Sequence, residues 1–345
     1  MADDLTPVQK REIRRADSPW TILRHDWKGV LGATWTGSGE GNLSLIAAGT
    51  AFWGFAALAP LLAAVVLSYG LFATPETVTH NIQALFGILP RDAAKLIADQ
   101  LAGVVKTSGE KKGWGLVIAL VLALYGGTQG ASAIMTALNV AYEEKETRSF
   151  IRSYVVAFQI TAAAVVLAFA AVASNTVMAF IDGLLPNAPG VVLTALRLVS
   201  YLLLAAMAVT SAALLYRYGP DRSHAKWTWL TPGSFIATAL WLVATGLFAF
   251  YVSSFGNYNA TYGSLGAVIV LLFWLWLSAW VFLLGAELNS QLERRTAKDT
   301  TTGPPAPPGQ RGAAVADHAG TDVPSPEVRD AMAGTGADGK SIRGA

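Results

Sequence analysis

Residues 263–288 read GSLGAVIVLLFWLWLSAWVFLLGAEL, an apolar run whose only charged side chain is Glu287. About 20 predominantly apolar residues are enough for a helix to cross the roughly 30 Å hydrocarbon core of a bilayer. A run of this length with so little charge is typical of a transmembrane helix. The segment therefore places the chain among integral membrane proteins.

Five other segments are also long and apolar enough to span a bilayer. The whole chain is 53% hydrophobic and only 14% charged, against about 25% charged in typical soluble domains. The surplus apolar surface must face lipid. We therefore predict an all-α membrane protein with one six-helix domain over residues 43–292, its transmembrane spans lying at about 43–72, 114–138, 154–181, 191–216, 232–252 and 263–288.

Polar segments flank this domain. In residues 1–42, Ser18 and Pro19 form a helix start signal, which predicts an amphipathic helix at the membrane interface with an apolar face of Trp20, Leu23, Trp27, Val30 and Leu31. The long connection after the first span predicts a second, external amphipathic helix that starts at Pro90. Residues 293–345 are predicted to be a disordered tail, because Gly, Pro and Ala dominate from about Thr300.

The distribution of Lys and Arg predicts the orientation of the chain, since these residues are retained on the cytoplasmic side of a membrane. Nineteen of them fall in the N-terminal segment, the connections after spans two and four, and the C-terminal tail, against five in the connection after span one. The connections after spans three and five have none. We therefore predict a multi-pass membrane protein with both termini in the cytoplasm.

The sequence lacks the motifs of the common hydrolytic and nucleotide-dependent enzymes. It has no cysteine and four histidines, none in a metal-binding arrangement such as H-E-x-x-H, and it has no P-loop. Its net charge of +2 does not indicate a nucleic-acid partner. We predict no catalytic residue, no metal and no cofactor, and hence a protein that is not an enzyme. Membrane lipids are the predicted partners, with a second copy of the chain or other envelope proteins as alternatives.

Polar residues inside the apolar segments are candidates for a substrate pathway, because they are costly in lipid. Arg197, about six residues into the fourth span, fits either snorkelling to the outer interface or anion binding inside the bundle, with Asp182 as its protein partner. Gln129 needs hydrogen-bond partners in a dry interior. Its neighbours Gly126 and Gly130 indicate close helix packing more than a ligand site.

A polar aromatic cluster between the fifth and sixth spans also has two interpretations. A turn with interfacial tyrosine anchors explains its aromatic residues. The clustering of amides also fits a short re-entrant turn that lines a cavity. On the second interpretation the predicted substrate pathway includes Asn257, Asn259 and Tyr262.

Glu287 lies at the predicted cytoplasmic end of the sixth span, where the negative end of the helix macrodipole disfavours a carboxylate. It is either a solvated interfacial residue or the partner of an arginine. Arg152 and Arg217 lie at the cytoplasmic ends of neighbouring spans. The second interpretation predicts a structural clamp or a cytoplasmic gate that opens when the pair breaks.

Three stretches of the sequence form a recognisable set: ALNVAY at 137–142 followed by ETRSF at 146–150, TPGS at 231–234, and the run from Tyr258 that contains YGSLGA at 262–267 and ends in GAELN at 285–289. Together they resemble the YihY/BrkB family of inner-membrane proteins, formerly labelled ribonuclease BN. The resemblance covers about residues 25–292. It implies six spans in a bacterial cytoplasmic membrane, and it links the chain to proteins associated with serum resistance, envelope lipid handling or transport.

The predicted function is therefore a transporter or flippase-like handler of an envelope lipid or small solute. The alternative is a non-transporting membrane scaffold or assembly factor. An internal cavity faced by Gln129 and Arg197 would favour transport, and a bundle packed shut would favour the scaffold. The absence of clustered metal ligands in the sequence argues against ribonuclease activity.

Overall fold

The computed structural model describes residues 7–72, 109–164, 166, 190–254 and 264–319, and within these ranges the regular structure is helical. A single isolated antiparallel bridge joins Ala225 to Thr301. The helices of the described ranges are α1 Pro7–Arg14, α2 Pro19–Glu40, α3 Leu43–Phe72, α4 Gly109–Ala141, α5 Phe150–Ala164, α6 Gly190–Tyr218, α7 Trp227–Ser254, α8 Ser264–Arg295 and α9 Ala314–Asp317.

Helix α8 is the centre of the described bundle. It contacts α2, α3, α4, α7 and α9, while α3 packs along α4 and α6 packs along α7. Its last turns carry the most deeply buried residues, including Leu288 and Leu292. Nearer its start, the indole N–H of Trp276 donates a hydrogen bond of 3.0 Å to the carbonyl oxygen of Ser44 in α3. The predicted sixth span is therefore the element around which the others assemble.

Three described helices are long and apolar enough to cross a membrane, over Thr194–Tyr218, Trp227–Val252 and Val268–Arg295. The count rises to four if the bent pair Pro19–Glu40 and Leu43–Leu58 forms one span. The prediction of an all-helical membrane protein is thus confirmed, and the number of six spans stays a prediction. Most of the predicted span 154–181 and the external helix from Pro90 lie outside the described residues.

Small residues allow α3 and α4 to pack closely. A Cβ atom on Gly126 would lie 2.9 Å from the Cα atom of Ala57, and one on Gly130 would lie 3.8 Å from the backbone nitrogen of Gly54. Backbone-to-backbone approach of this kind is what small residues permit between membrane helices. The close-packing interpretation of this motif is confirmed.

Helix α2 begins where the sequence predicts, with Ser18 in an extended conformation before Pro19. Its buried side is formed by Ile22, Val30, Thr34 and Ser38. The predicted apolar face is therefore wrong in part, because Val30 points into the protein and Leu23 is half-buried, whereas Trp20, Trp27 and Leu31 are exposed. The end of α8, rather than lipid, covers this side of α2, because Leu288 and Leu292 pack with Ile22 and Val30.

The C-terminal segment 296–319, here called the strap, is folded against the bundle. Within it, Arg311 is only 6% exposed, and its guanidinium donates to the carbonyl oxygens of Ala297, Ala306 and Ala316 at 2.7–3.1 Å. The predicted disorder of residues 293–345 is therefore wrong for residues 293–319. The argument from composition failed because it considered only the burial of apolar surface. Here one buried arginine orders the segment by donating hydrogen bonds to its backbone carbonyl groups. Residues 320–345 lie outside the described residues.

Candidate functional site

A charged cluster closes the end of the bundle where α8 meets the strap; it consists of Tyr142, Glu144, Arg222 and Glu293. Glu293 is in the last turn of α8 and is fully buried. The guanidinium of Arg222 donates to both of its carboxylate oxygens, at 2.7 and 3.3 Å. The hydroxyl of Thr300 in the strap donates to Glu293 at 2.7 Å. A desolvated carboxylate thus has one cation and one hydroxyl as compensating partners.

Tyr142 completes the interior of the charged cluster. The guanidinium carbon of Arg222 lies 5.0 Å from the centre of its ring, within the range of a cation–π contact. Burial raises the pKa of the Tyr142 phenol well above its usual value, and the nearby charge of Glu293 adds to this. Tyr142 therefore remains neutral, and its ring shields the ion pair from solvent.

Glu144 connects the charged cluster to the strap. Its Oε1 accepts a hydrogen bond of 2.8 Å from the backbone N–H of Ala314 and lies 4.0 Å from Nε of Arg222. Burial raises the pKa of Glu144 to about 7, although the charge of Arg222 and the Ala314 hydrogen bond oppose the rise. Glu144 is the member of the charged cluster that titrates near neutral pH.

A second polar layer joins the α4–α5 and α6–α7 connections. Asn139 accepts from the backbone N–H of Asp221 and donates to Glu146, both at 2.8 Å. Arg148 forms an ion pair of 3.1 Å with Asp221. Partial burial alone would raise the pKa of Asp221, but hydrogen bonds from Thr147 and the charge of Arg148 lower it below its usual value. The two connections are therefore fixed to each other by charge-assisted hydrogen bonds.

The strap crosses both the α6–α7 connection and the N-terminal helix. Lys226 donates its backbone N–H to Thr300 at 2.8 Å, and Thr302 donates to His224 at 2.9 Å. On the other side, the backbone N–H of Ala297 donates to Arg14 at 2.9 Å, and Thr296 donates its hydroxyl hydrogen to Ala16 at 2.9 Å. The strap thus holds together elements that are far apart in the sequence.

Helices α7 and α8 cross at two glycines directly above the charged cluster. A Cβ atom on Gly233 would lie 2.1 Å from the carbonyl oxygen of Gly285. At this crossing Asn289 accepts from the backbone N–H of Gly233 at 2.8 Å and donates to the carbonyl oxygen of Leu230 at 3.3 Å. Pro232 cannot donate within α7, and the carbonyl oxygen of Thr228 accepts instead from the hydroxyl of Thr231 at 2.9 Å. Asn289 holds the next residue, Gly233, to α8. The TPGS and GAELN stretches therefore meet in space.

The predicted substrate pathway lies largely outside the described part of the structure. Gln129 is half-buried, and its amide donates to the hydroxyl of Tyr154 in α5 at 3.3 Å. That contact joins two helices and gives Gln129 a protein partner. Asn257, Asn259, Tyr262 and the side chain of Arg197 fall outside the described residues, as does Asp182.

Glu287 has different partners from those predicted. It is 6% exposed and faces α2, where a Cβ atom on Gly37 would lie 2.2 Å from its Oε1. The amide of Gln291 donates to the same oxygen at 2.8 Å. Arg217 donates instead to the carbonyl oxygen of Ala225 and stacks over Trp227 at 4.7 Å.

Arg152 is exposed on α5. The predicted clamp between Glu287 and Arg152 or Arg217 is thus not found among the ion pairs of the described residues. The reason is the helix face on which Glu287 lies, which turns it toward α2. Two ion pairs do tie the end of α8 to neighbouring connections, Glu293 with Arg222 and Arg294 with Glu143.

Sequence reasoning missed the pair of Glu293 with Arg222 because Glu293 was assigned to the tail. One signal was available in the sequence. Asn289 and Glu293 are four residues apart, so a continued helix places both on one face, and α8 does continue to Arg295. Within the described residues, no group of three or more His, Cys, Asp or Glu side chains is arranged to hold a metal ion.

Comparison with known proteins gives consistent matches. Residues 34–310 match the family model described as "Virulence factor BrkB". The protein named "Putative ribonuclease-like protein YfkH" of Bacillus subtilis is 35% identical over 197 residues, covering 55% of this chain and 70% of the relative. A "UPF0761 membrane protein" of Aeromonas salmonicida is 25% identical over 298 residues, covering 83% of this chain and 96% of the relative. No solved structure matches.

Proposed function

The chain belongs to the virulence factor BrkB family, and we propose that it is a transporter or flippase-like handler of an envelope lipid or small solute in the bacterial inner membrane. In this proposal both termini are cytoplasmic, and the charged cluster is the cytoplasmic closure of a six-span bundle. The protein moves its substrate without catalysing a covalent reaction. The family resemblance and the distribution of Lys and Arg support this assignment.

The observation that carries the proposal is the buried ion pair between Arg222 and Glu293. Taking two charges out of water costs several kcal/mol per ion, and well-packed apolar residues are often as stabilising as such a pair. A static scaffold therefore gains little from it. A closure that has to open gains more, because both charges are readily hydrated once the contact breaks.

Unpartnered polar atoms beside the charged cluster support the same interpretation. The hydroxyl of Ser290 and both Nε and Nη1 of Arg294 are buried without a hydrogen-bond partner among the described residues. In native proteins such groups are usually satisfied by water. The end of α8 is therefore suited to admitting water or a polar headgroup when the closure opens.

The test is a reversible lock on the strap in a chain that has no native cysteine. Ala225 and Thr301 form an antiparallel bridge flanked by the hydrogen bonds Lys226 to Thr300 and Thr302 to His224. This makes them a non-hydrogen-bonded pair, whose Cα atoms are typically about 4.5 Å apart. That separation suits a disulfide, so the variant with both Ala225→Cys and Thr301→Cys can be locked by oxidation.

The locked variant is compared with wild type in vesicles that contain fluorescent phospholipid, by measuring how fast the lipid exchanges between leaflets. We expect wild type to accelerate exchange, oxidation of the double variant to stop it, and reduction to restore it. Each single cysteine variant should respond to neither treatment. Transport would be overturned if the protein accelerated neither lipid exchange nor, in a matched assay, the movement of candidate small solutes relative to protein-free vesicles. The scaffold alternative would then remain.

A further inference from the structure

The outward face of α2 is apolar and cationic at the same time. Three tryptophans and a leucine are exposed on it, Trp20 at 49%, Trp27 at 53%, Leu31 at 45% and Trp35 at 67%. Trp27, Leu31 and Trp35 follow the break at Asp26, and their spacing places them on one side of the helix together with the exposed Lys28. Trp20 and the exposed Arg24 precede the break and lie one turn apart. The opposite side is buried against α7 and α8, so the outward face is what α2 offers to its surroundings.

A break in the helix removes the nearest acidic side chain from this face. Asp26 has φ −142° and ψ 47°, which interrupts the helical geometry. Its carboxylate turns inward, accepts from the backbone N–H of Gly29 at 3.0 Å and pairs with Arg295 at 3.4 Å. The outward face therefore carries only positive charge until Glu40 at the end of the helix.

The angle between α2 and α3 favours a position at the membrane surface. The two helices are bent by 64° where they join. If α3 crosses the bilayer, a helix inclined this far lies closer to the membrane plane than to its normal. The first turns of α3 continue the exposed apolar surface with Leu45 at 73% and Phe52 at 58%. Exposed apolar side chains therefore occur on both sides of the bend between α2 and α3.

Each side chain on this face suits the headgroup region. Tryptophan is enriched at membrane interfaces because its ring is amphipathic, and Lys and Arg attract anionic lipids. Lys28 places its ammonium 5.6 Å from the ring centre of Trp27, which joins an anchor and a cation at one point. A zwitterionic headgroup also carries a phosphate, but its own ammonium group balances that charge, so two cations favour a lipid with net negative charge.

We propose that the outward face of α2 is a binding surface for anionic phospholipid headgroups, with Trp20, Trp27 and Trp35 inserted at the interface and Arg24 and Lys28 contacting lipid phosphates. Lipid binding at this surface does not require that the protein transports a substrate. It gives the chain a preference for negatively charged lipid beside the charged cluster.

The test uses the full chain with one introduced cysteine, Gly32→Cys, at an exposed position four residues after Lys28 and three before Trp35, where a Cβ atom meets no described atom within 4 Å. A fluorophore on this cysteine is quenched by spin-labelled phosphatidylglycerol or by spin-labelled phosphatidylcholine with the same acyl chains, in vesicles of equal amounts of the two lipids. We expect the anionic lipid to be enriched beside the label roughly fivefold or more over the neutral lipid.

Matched variants separate the cations from general charge. The double variant Arg24→Gln with Lys28→Gln should lose the preference and keep quenching by the neutral lipid, since its tryptophans remain. The control Arg14→Gln with Arg15→Gln removes the same charge from exposed positions beside α1 and should keep the preference. Equal quenching by both lipids in the parent, or a label that neither lipid quenches, would overturn the proposal. The latter result would indicate that a protein covers the face.

Discussion

Arg222 and Glu293, 71 positions apart in the sequence, form a two-point ion pair in which both side chains are almost completely buried. The pair joins the α6–α7 connection to the last turn of α8, and the hydroxyl of Thr300 attaches the strap to the same carboxylate. Opening this end of the bundle requires breaking the pair or moving both partners together. The charged cluster therefore behaves as a unit, and its members should be coupled in mutational experiments.

Loss of one partner should be far more damaging than loss of both. We expect Arg222→Met or Glu293→Leu alone to destabilise the folded protein by about 3–5 kcal/mol, because an uncompensated charge remains buried. The double variant should recover most of that loss. Thermal unfolding in detergent measures the effect. The control Lys298→Met breaks an exposed pair with Asp17 and should cost about 1 kcal/mol or less. Additive effects of the two substitutions would contradict the coupling.

The crossing of α7 and α8 should not accept a methyl group. A Cβ atom on Gly285 would lie 2.6 Å from the Cβ of Ala237 and 2.8 Å from the carbonyl oxygen of Gly233. Gly285→Ala should therefore destabilise by about 1–3 kcal/mol through overpacking. The matched control is Gly246→Ala in α7, where the added Cβ meets no atom of the described residues within 4 Å. That variant should be neutral or slightly more stable because alanine favours helix.

Asn289 should be essential for the stability of the proline-interrupted turn. Asn289→Leu leaves the backbone N–H of Gly233 without its side-chain acceptor, while the carbonyl of Leu230 keeps the hydroxyl of Ser234 as a donor, and we expect a loss of roughly 1–3 kcal/mol. Ser290→Ala is the control, since this hydroxyl is equally buried and has no hydrogen-bond partner within the described part of the chain. Equal melting temperatures for Asn289→Leu and wild type would show that the interrupted turn finds other hydrogen bonds.

The charged cluster should give stability a pH dependence that is traceable to Glu144. Its pKa is raised from 4.5 to about 7 in the folded protein, so its favourable contribution is complete below pH 4.5 and is lost as the pH rises through 7. Glu144→Gln keeps an oxygen to accept from Ala314 and removes the titration. The stability of this variant relative to wild type should therefore rise between pH 4.5 and 8. A constant difference over this range would rule out Glu144 as the titrating group.

Orientation is testable with single cysteines in the cysteine-free chain. Ser149 and Ser223 are exposed in the α4–α5 and α6–α7 connections, on the side predicted to be cytoplasmic, and Asn259 lies on the opposite side of the predicted topology. An impermeant maleimide added to intact cells should label Asn259→Cys only. All three should react after the cells are broken. Labelling of Ser149→Cys or Ser223→Cys from outside would reverse the assigned orientation.

Local pattern was sufficient for the helices but not for their faces. The apolar run 43–72 coincides with α3, the runs 191–216 and 232–252 lie within α6 and α7, and the described part of the run 263–288, from Ser264 on, lies within α8. Length and hydropathy are properties of consecutive residues, which is why the sequence was sufficient here. Gly126 and Gly130 predicted close packing because two small residues four positions apart lie on one face of a helix. The side of α2 that is buried depends on the end of α8, and sequence periodicity did not distinguish Val30 from Trp27.

The sequence by itself determined that this chain is a helical membrane protein and where its main helices run. Only the tertiary structure decided that Glu293 pairs with Arg222, that Glu287 faces Gly37, and that residues 296–319 form an ordered strap. The physical reason is distance along the chain. Hydropathy acts within a segment of about 20 residues, whereas the desolvation of a buried charge is compensated by whichever partner the packing of distant helices brings within hydrogen-bond reach.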